Sequence, residues 1–224
     1  MLIKIITMPN TNPTDNSRTI DFFFDPVCPW AWITSRWVVN LTEMIDLSVN
    51  WKFISLKELN SHRTDLDYTD EYKKIHNLGR TLHRIIAGSS LKEGEAIRGK
   101  LYSIFGYKIH NEGKRDELFE NSGIEKLLEE NNFDPAFVNF ADDSTLDQTI
   151  IDETKLALER AGKDLGTPVI TFDPPEGYSF FGPVMSTIPK GEETLKLFNA
   201  IYTLASHRGF SELKREIREP RSFD

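Results

Sequence analysis

Short apolar runs alternate with helical stripes along this chain, and their order predicts the fold. The run "TIDFFF", Thr19 to Phe24, is rich in aromatic and β-branched residues and stops at Asp25-Pro26, which reads as a buried strand. Ile33, Trp37, Val38, Leu41, Met44 and Ile45 then recur at helical spacing. Pro29 suits the first turn of that helix, because the amide it lacks would be unpaired there. In "SVNWKFIS", Val49, Trp51 and Phe53 alternate with Ser48, Asn50 and Lys52, which predicts a second strand. Strand, helix and strand within about forty residues make a βαβ unit.

The pattern then changes. Ile75, Leu78, Leu82, Ile85 and Ile86 mark one amphipathic helix, and Ile97, Leu101, Ile104 and Phe105 a second. Ile124, Leu127 and Leu128 mark a third, and Pro135 to Phe140 a fourth. These stripes read as core packing. Strand signals are nearly absent, so residues 58–147 are expected to form an inserted helical domain. From Gln148 to Gly162 a helical face returns, and Gly166-Thr167-Pro168 opens the strand "VITF". Asp173 to Gly177 is a turn cluster, "YSFF" a short strand able to pair back, and Glu192 to Ser206 a final helix. The run "ELKREIREPR" reads as a solvated helix end. A βαβ half (residues 18–57) and an αββα half (148–224) around a helical block predict an α/β, thioredoxin-like fold of the DsbA type with a helical insertion.

Composition narrows the partners. Of 224 residues, 39% are hydrophobic and 28% charged, as in globular proteins. The net charge of −8 argues against nonspecific binding to nucleic acid or anionic lipid. No stretch approaches the length of a membrane span. Leu2 to Ile6 is too short for a secretory core, so a cytoplasmic protein with Met1 to Ser17 as a mobile leader is expected. One cysteine, Cys28, excludes an intramolecular disulfide and fits a reducing compartment.

A lone cysteine is often a small buried hydrophobe. Here it falls where the first strand meets the first helix. Unpaired amides and the helix dipole stabilise a thiolate at such a position, which predicts a nucleophile with a pKa well under ~8.5. Trp30 is either core packing or a wall for a flat substrate. In the thioredoxin arrangement, the loop before the third strand carries a cis-proline facing the cysteine. Thr167-Pro168 falls there, with the Thr167 backbone expected to be open to a ligand.

These residues resemble the DsbA-like, mycothiol-dependent nitroreductases and oxidoreductases. The resemblance runs from Asp21 to Asp224, carried by "FDPVCPWAWITSRW", "KIHNEG", "GTPVI", "FFGPVMSTIPKGEE" and "ELKREIREPRSFD". It implies an enzyme whose Cys-Pro-Trp-Cys motif passes electrons from mycothiol to disulfides or nitro-aromatic compounds. Cys28, Pro29 and Trp30 match that motif, and Ala31 stands where the second thiol would be. A monothiol cycle is then the expectation: the thiolate attacks a mixed disulfide and a second low-molecular-weight thiol resolves it. Thr167, Pro168, Gly182 and Pro183 are candidates to line the thiol site. The resemblance also implies that His110 faces the active-site groove. Mycothiol is expected as co-substrate, with no tightly bound cofactor, and a small-molecule or protein disulfide as the other partner.

Two other functions stay open. A kappa-type thiol transferase shares the architecture but activates the cofactor's sulfur with a hydroxyl, and Cys28 would form a disulfide instead. A redox-inactive binding protein is the third reading. His62, His76, His83 and His207 have no ligand spacing, so no metal is expected. "GSSLKEG" lacks the glycine cradle of a phosphate loop. Asp25 is read as the cap of the first helix, with proton transfer to the thiol as the alternative.

Overall fold

The computed structural model describes residues 17–224, so the expected leader lies, apart from Ser17, outside the described residues. Four strands form one sheet in the order β2-β1-β3-β4, where β1 is Arg18–Phe24, β2 Leu47–Phe53, β3 Val169–Phe172 and β4 Ser179–Phe181. β1 runs parallel to β2 and antiparallel to β3, and β3 runs antiparallel to β4. This is the thioredoxin-like topology that the order of apolar runs predicts.

Three consecutive phenylalanines in β1 are each 0% exposed, which requires cover on both faces of the sheet. Side chains alternate along a strand. Phe22 and Phe24 enter the larger core with Trp32, Trp37, Leu82 and Tyr102, whereas Phe23 meets Ile54, Ala157 and Val169 on the other side. Phe24 stacks on Tyr102 with ring centres 4.0 Å apart.

Helix α1, Pro29–Thr42, joins β1 to β2. Four helices follow: α2 (Leu56–Leu59), α3 (Asp70–Glu93), α4 (Ile97–Gly106) and α5 (Asn121–Glu130). α6 (Asp147–Ala161) leads back to β3, and α7 (Glu192–Ala205) follows β4. Apolar residues of α3, α4 and α5 join those of β1, α1 and α7 in one cluster. Buried Arg98 fixes α4 to the sheet side, donating to Trp51 O at 3.3 Å and to Glu153 Oε1 at 2.8 Å.

The structure departs from the sequence pattern in two helices. Pro135–Asp142 winds as a 3₁₀ helix, with Val138 and Ala141 buried three residues apart, the spacing that this tighter helix stacks on one side. The "ELKREIREPR" segment is not a helix end. Residues 207–224 contain no helix or strand. Leu213 and Ile217, the apolar pair a helix would bury, are each 82% exposed, so no packing offsets the entropy of winding them.

Candidate active site

Cys28 is the N-cap of α1. Its backbone is extended, at φ −83° and ψ 114°, and its sulfur accepts from the Ala31 amide at 3.5 Å. Pro29 takes the first helical position, where its missing N–H costs nothing. The expectation that Asp25 caps this helix is therefore corrected: the cysteine caps its own helix. Asp25 instead closes the preceding turn, accepting from Val27 N at 3.0 Å, and ties in α2 by accepting from Leu56 N at 2.8 Å. α3 passes close enough that a Cβ on Gly79 would stand 2.8 Å from Asp25 Oδ1, so the carboxyl needs a glycine there.

The thiol is 4% exposed, and burial pushes it up to about 12. The Ala31 and Trp30 amides and the charge of Arg221 pull down, and the charge of Asp25 adds to the rise. The acidic thiol expected from the helix N-terminus is thus not found. The amides are in place, but taking the anion out of water outweighs them. Asp25 is also raised by burial, to about 7, against its two amide bonds and the Arg80 guanidinium. The two groups share one electrostatic environment: a buried carboxyl that changes charge near neutrality and a thiol that feels that charge.

The Thr167–Pro168 peptide is cis, and Thr167 O accepts from the Cys28 thiol at 3.4 Å. Thr167 is 4% exposed, and its carbonyl accepts from the thiol. Gly182–Pro183 is also cis. Gly182 N donates to Pro168 O at 2.8 Å, and Pro183 O accepts from Thr34 Oγ1 of α1 at 2.7 Å. These two turns are thereby linked to each other and to the cysteine's helix. Ala31 is fully buried in the first turn of α1.

His110 lies in a π-helical turn, Tyr107–Asn111, that extends α4. Its Nε2 is 3.0 Å from Pro26 O, and its ring stacks on Trp32 at 5.8 Å, which places it against the loop before Cys28. Burial lowers its pKa to about 4, so it is neutral here.

Sequence reasoning missed four participants. Asn111 accepts from Trp32 Nε1 at 2.9 Å and donates to Phe223 O at 2.8 Å. Phe223 packs on His110 with ring centres 5.6 Å apart. Arg218 and Arg221 lie over the Trp30 ring at 5.0 and 5.2 Å. The signal was an aromatic residue and a proline among charges in "REPRSFD", which has no helical stripe to support. Among the described residues, no three His, Cys, Asp or Glu side chains converge as metal ligands, and no helix is long and apolar enough to cross a membrane.

A thioredoxin-like sheet with a cysteine at the first helix N-terminus, opposite a cis-proline loop, defines a DsbA-type thiol-dependent oxidoreductase. Residues 27–215 match the model of the Rv2466c-like family, described as mycothiol-dependent nitroreductase Rv2466c, and the chain belongs to that family. The chain is 28% identical, over 205 residues, to the uncharacterised protein Rv2286c of Mycobacterium tuberculosis, covering 88% of this chain and 81% of that one. Among solved structures, the cytosolic disulfide reductase DsbM of Pseudomonas aeruginosa matches with a TM-score of 0.56 at 15% identity, covering 84% of this chain and all of that one. A Streptomyces coelicolor protein described as a "probable DsbA oxidoreductase" matches with a TM-score of 0.57 at 14% identity, covering 89% and 94%. At these identities the structures support the fold alone.

Proposed function

We propose that the protein runs a monothiol exchange cycle with a low-molecular-weight thiol, mycothiol, as reductant. One observation carries this: the only cysteine of the chain caps α1, and buried Ala31 stands at the second motif position. Cys28 sulfur attacks a disulfide R–S–S–R. A bond forms between Cys28 and one sulfur, and the other leaves as a thiolate that takes a proton. A second small thiol then attacks the mixed disulfide and restores Cys28. The family description favours nitro-aromatic acceptors as well, for which two thiols joined as one disulfide supply two electrons per step.

The thiol must lose its proton as it attacks. The Ala31 and Trp30 amides face the sulfur and stabilise the anion once a substrate approaches. Asp25, poised near 7, is the group whose ionisation the thiol feels. Intact-mass analysis tests the cycle. Incubation with oxidised mycothiol should add one mycothiol half to the protein. In Ala31→Cys the adduct should be expelled, leaving a protein lighter by two hydrogens. A parent protein that takes no adduct, or releases it with no added thiol, overturns the reading.

A further inference from the structure

The segment Ser211–Asp224 lacks regular structure, yet it is tied down at its end. Ser222 N donates to Ser186 O, and Asn111 Nδ2 to Phe223 O, each at 2.8 Å. One bond anchors it to the loop after β4, the other to the π-helical turn. Beside these anchors, Arg218, Glu219, Pro220, Arg221 and Phe223 line, with Trp30, an open surface depression of about 550 Å³. Trp30 is two residues from Cys28 and forms the wall of this depression nearest to it in sequence.

Two cations meet in that depression, in a chain of net charge −8. The protein has 35 acidic and 27 basic residues. Among the described residues, Arg80, Arg84, Arg98 and Arg160 sit in ion pairs with carboxylates, while Arg18, Arg36, Arg208 and Arg215 do not. Arg218 and Arg221 have no ion-pair partner among the described residues. Glu219 lines the same depression but is in no ion pair with either of them. Both guanidinium groups lie on one indole, 5.0 and 5.2 Å from its centre. Each gains a modest cation–π attraction there. Two like charges on one ring repel, and an anion between them removes that cost. Guanidinium groups are also the side chains best suited to grip a planar carboxylate.

We propose that Arg218 and Arg221 recognise an anionic group, a carboxylate or its equivalent, on the acceptor that reacts at Cys28 rather than on mycothiol, which carries no carboxylate, with Trp30 as the flat wall beside it. This rests on Cys28 being the reacting thiol. It also gives the C-terminal segment a specificity role that the helix-end reading lacks.

Paired alkylation rates test it without redox turnover. Iodoacetamide and iodoacetate each form a sulfur–carbon bond at Cys28, expel iodide and release the thiol proton to solvent. They differ in one carboxylate. The ratio of iodoacetate to iodoacetamide rates should fall about 3- to 10-fold in the Arg218→Gln/Arg221→Gln double variant, and stay near the parent value in Arg218→Lys/Arg221→Lys. Raising the salt concentration should lower the parent ratio toward that of the glutamine variant. A ratio unchanged by the glutamine substitutions overturns the proposal, as does an equal change in both rates, which would mean altered access alone. If the ratio falls as expected but no mixed disulfide forms, the anion site stands and the exchange cycle fails. If the mixed disulfide forms and the ratio is flat, the reverse holds.

Discussion

Cys28 and Asp25 are three residues apart, and their chemistry is set by which amides each one takes. The sulfur takes Ala31 N–H, and the carboxyl takes Val27 N–H and Leu56 N–H. Asp25→Asn removes a negative charge that raises the thiol's pKa. Above about pH 7, where Asp25 is ionised, the variant should alkylate faster with iodoacetamide, its apparent thiol midpoint lower by on the order of one unit. The rate profile of the parent should show a break near pH 7 that the variant lacks. Superimposable profiles would show that the two groups do not communicate. The variant leaves one amide facing an N–H₂ group, so its stability should drop by about 1–3 kcal/mol. The sequence made Cys28 legible through its place after an apolar run. It did not reveal the balance between helix amides and burial, because burial of the sulfur depends on Thr167, 139 residues away.

Among the elements, legibility follows amphipathicity. β1, α1, α3, α4 and α6 each bury an apolar stripe, and each was readable from spacing. The π-helical turn at Tyr107–Asn111 was not, since no residue type marks an extra residue in a helix. Its place is set by packing: a Cβ on Gly106 would run into the Trp32 ring, so the close approach of α4 to α1 needs a glycine there. Trp32 in turn holds Asn111 and stacks on His110. Gly106→Ala should therefore act on both stability and site. Overpacking of a filled core costs typically ~1–3 kcal/mol, measurable as a lower urea midpoint. Displacement of Trp32 should also weaken the anchorage of Phe223 through Asn111, making the C-terminal segment easier to cleave by limited proteolysis. A variant of unchanged midpoint would show that α4 shifts freely and does not set the site. The C-terminal segment was illegible for the opposite reason. Its alternating charges suggest a solvated surface, while its contacts with Trp30, His110 and Asn111 come from single residues without a period.

The whole molecule carries these local shifts as a dependence of stability on pH. Burial holds His83 at about 3 and His110 at about 4, below the 6.5 of an exposed histidine. Such groups contribute stability that is present above pH 6.5 and lost as pH falls toward the folded pKa. Asp25 runs the other way, raised from 3.8 to about 7, with stability present at low pH and lost as pH rises through that range. Between about pH 5.5 and 4.5 the unfolded chain holds nearly two protons at these histidines that the folded chain lacks, and the folded chain holds one at Asp25 that the unfolded chain has largely released. The excess of one proton in the unfolded state means that acid destabilises, by about 1.4 kcal/mol per pH unit. His76, also lowered by burial, adds in the same direction. The paired carboxylates Asp65, Asp70 and Asp147 are held low by their cationic partners and contribute only at more acid pH. Urea unfolding at pH 5.5, 5 and 4.5 should show this slope. His110→Gln removes one of the two histidine protons and should reduce it by about 1.4 kcal/mol per unit, whatever the variant's absolute stability. Equal slopes in parent and variant would mean that His110 takes up a proton in the folded protein at pH 5. That requires water at its ring, and it would show that Phe223 does not keep the C-terminal segment seated over the site.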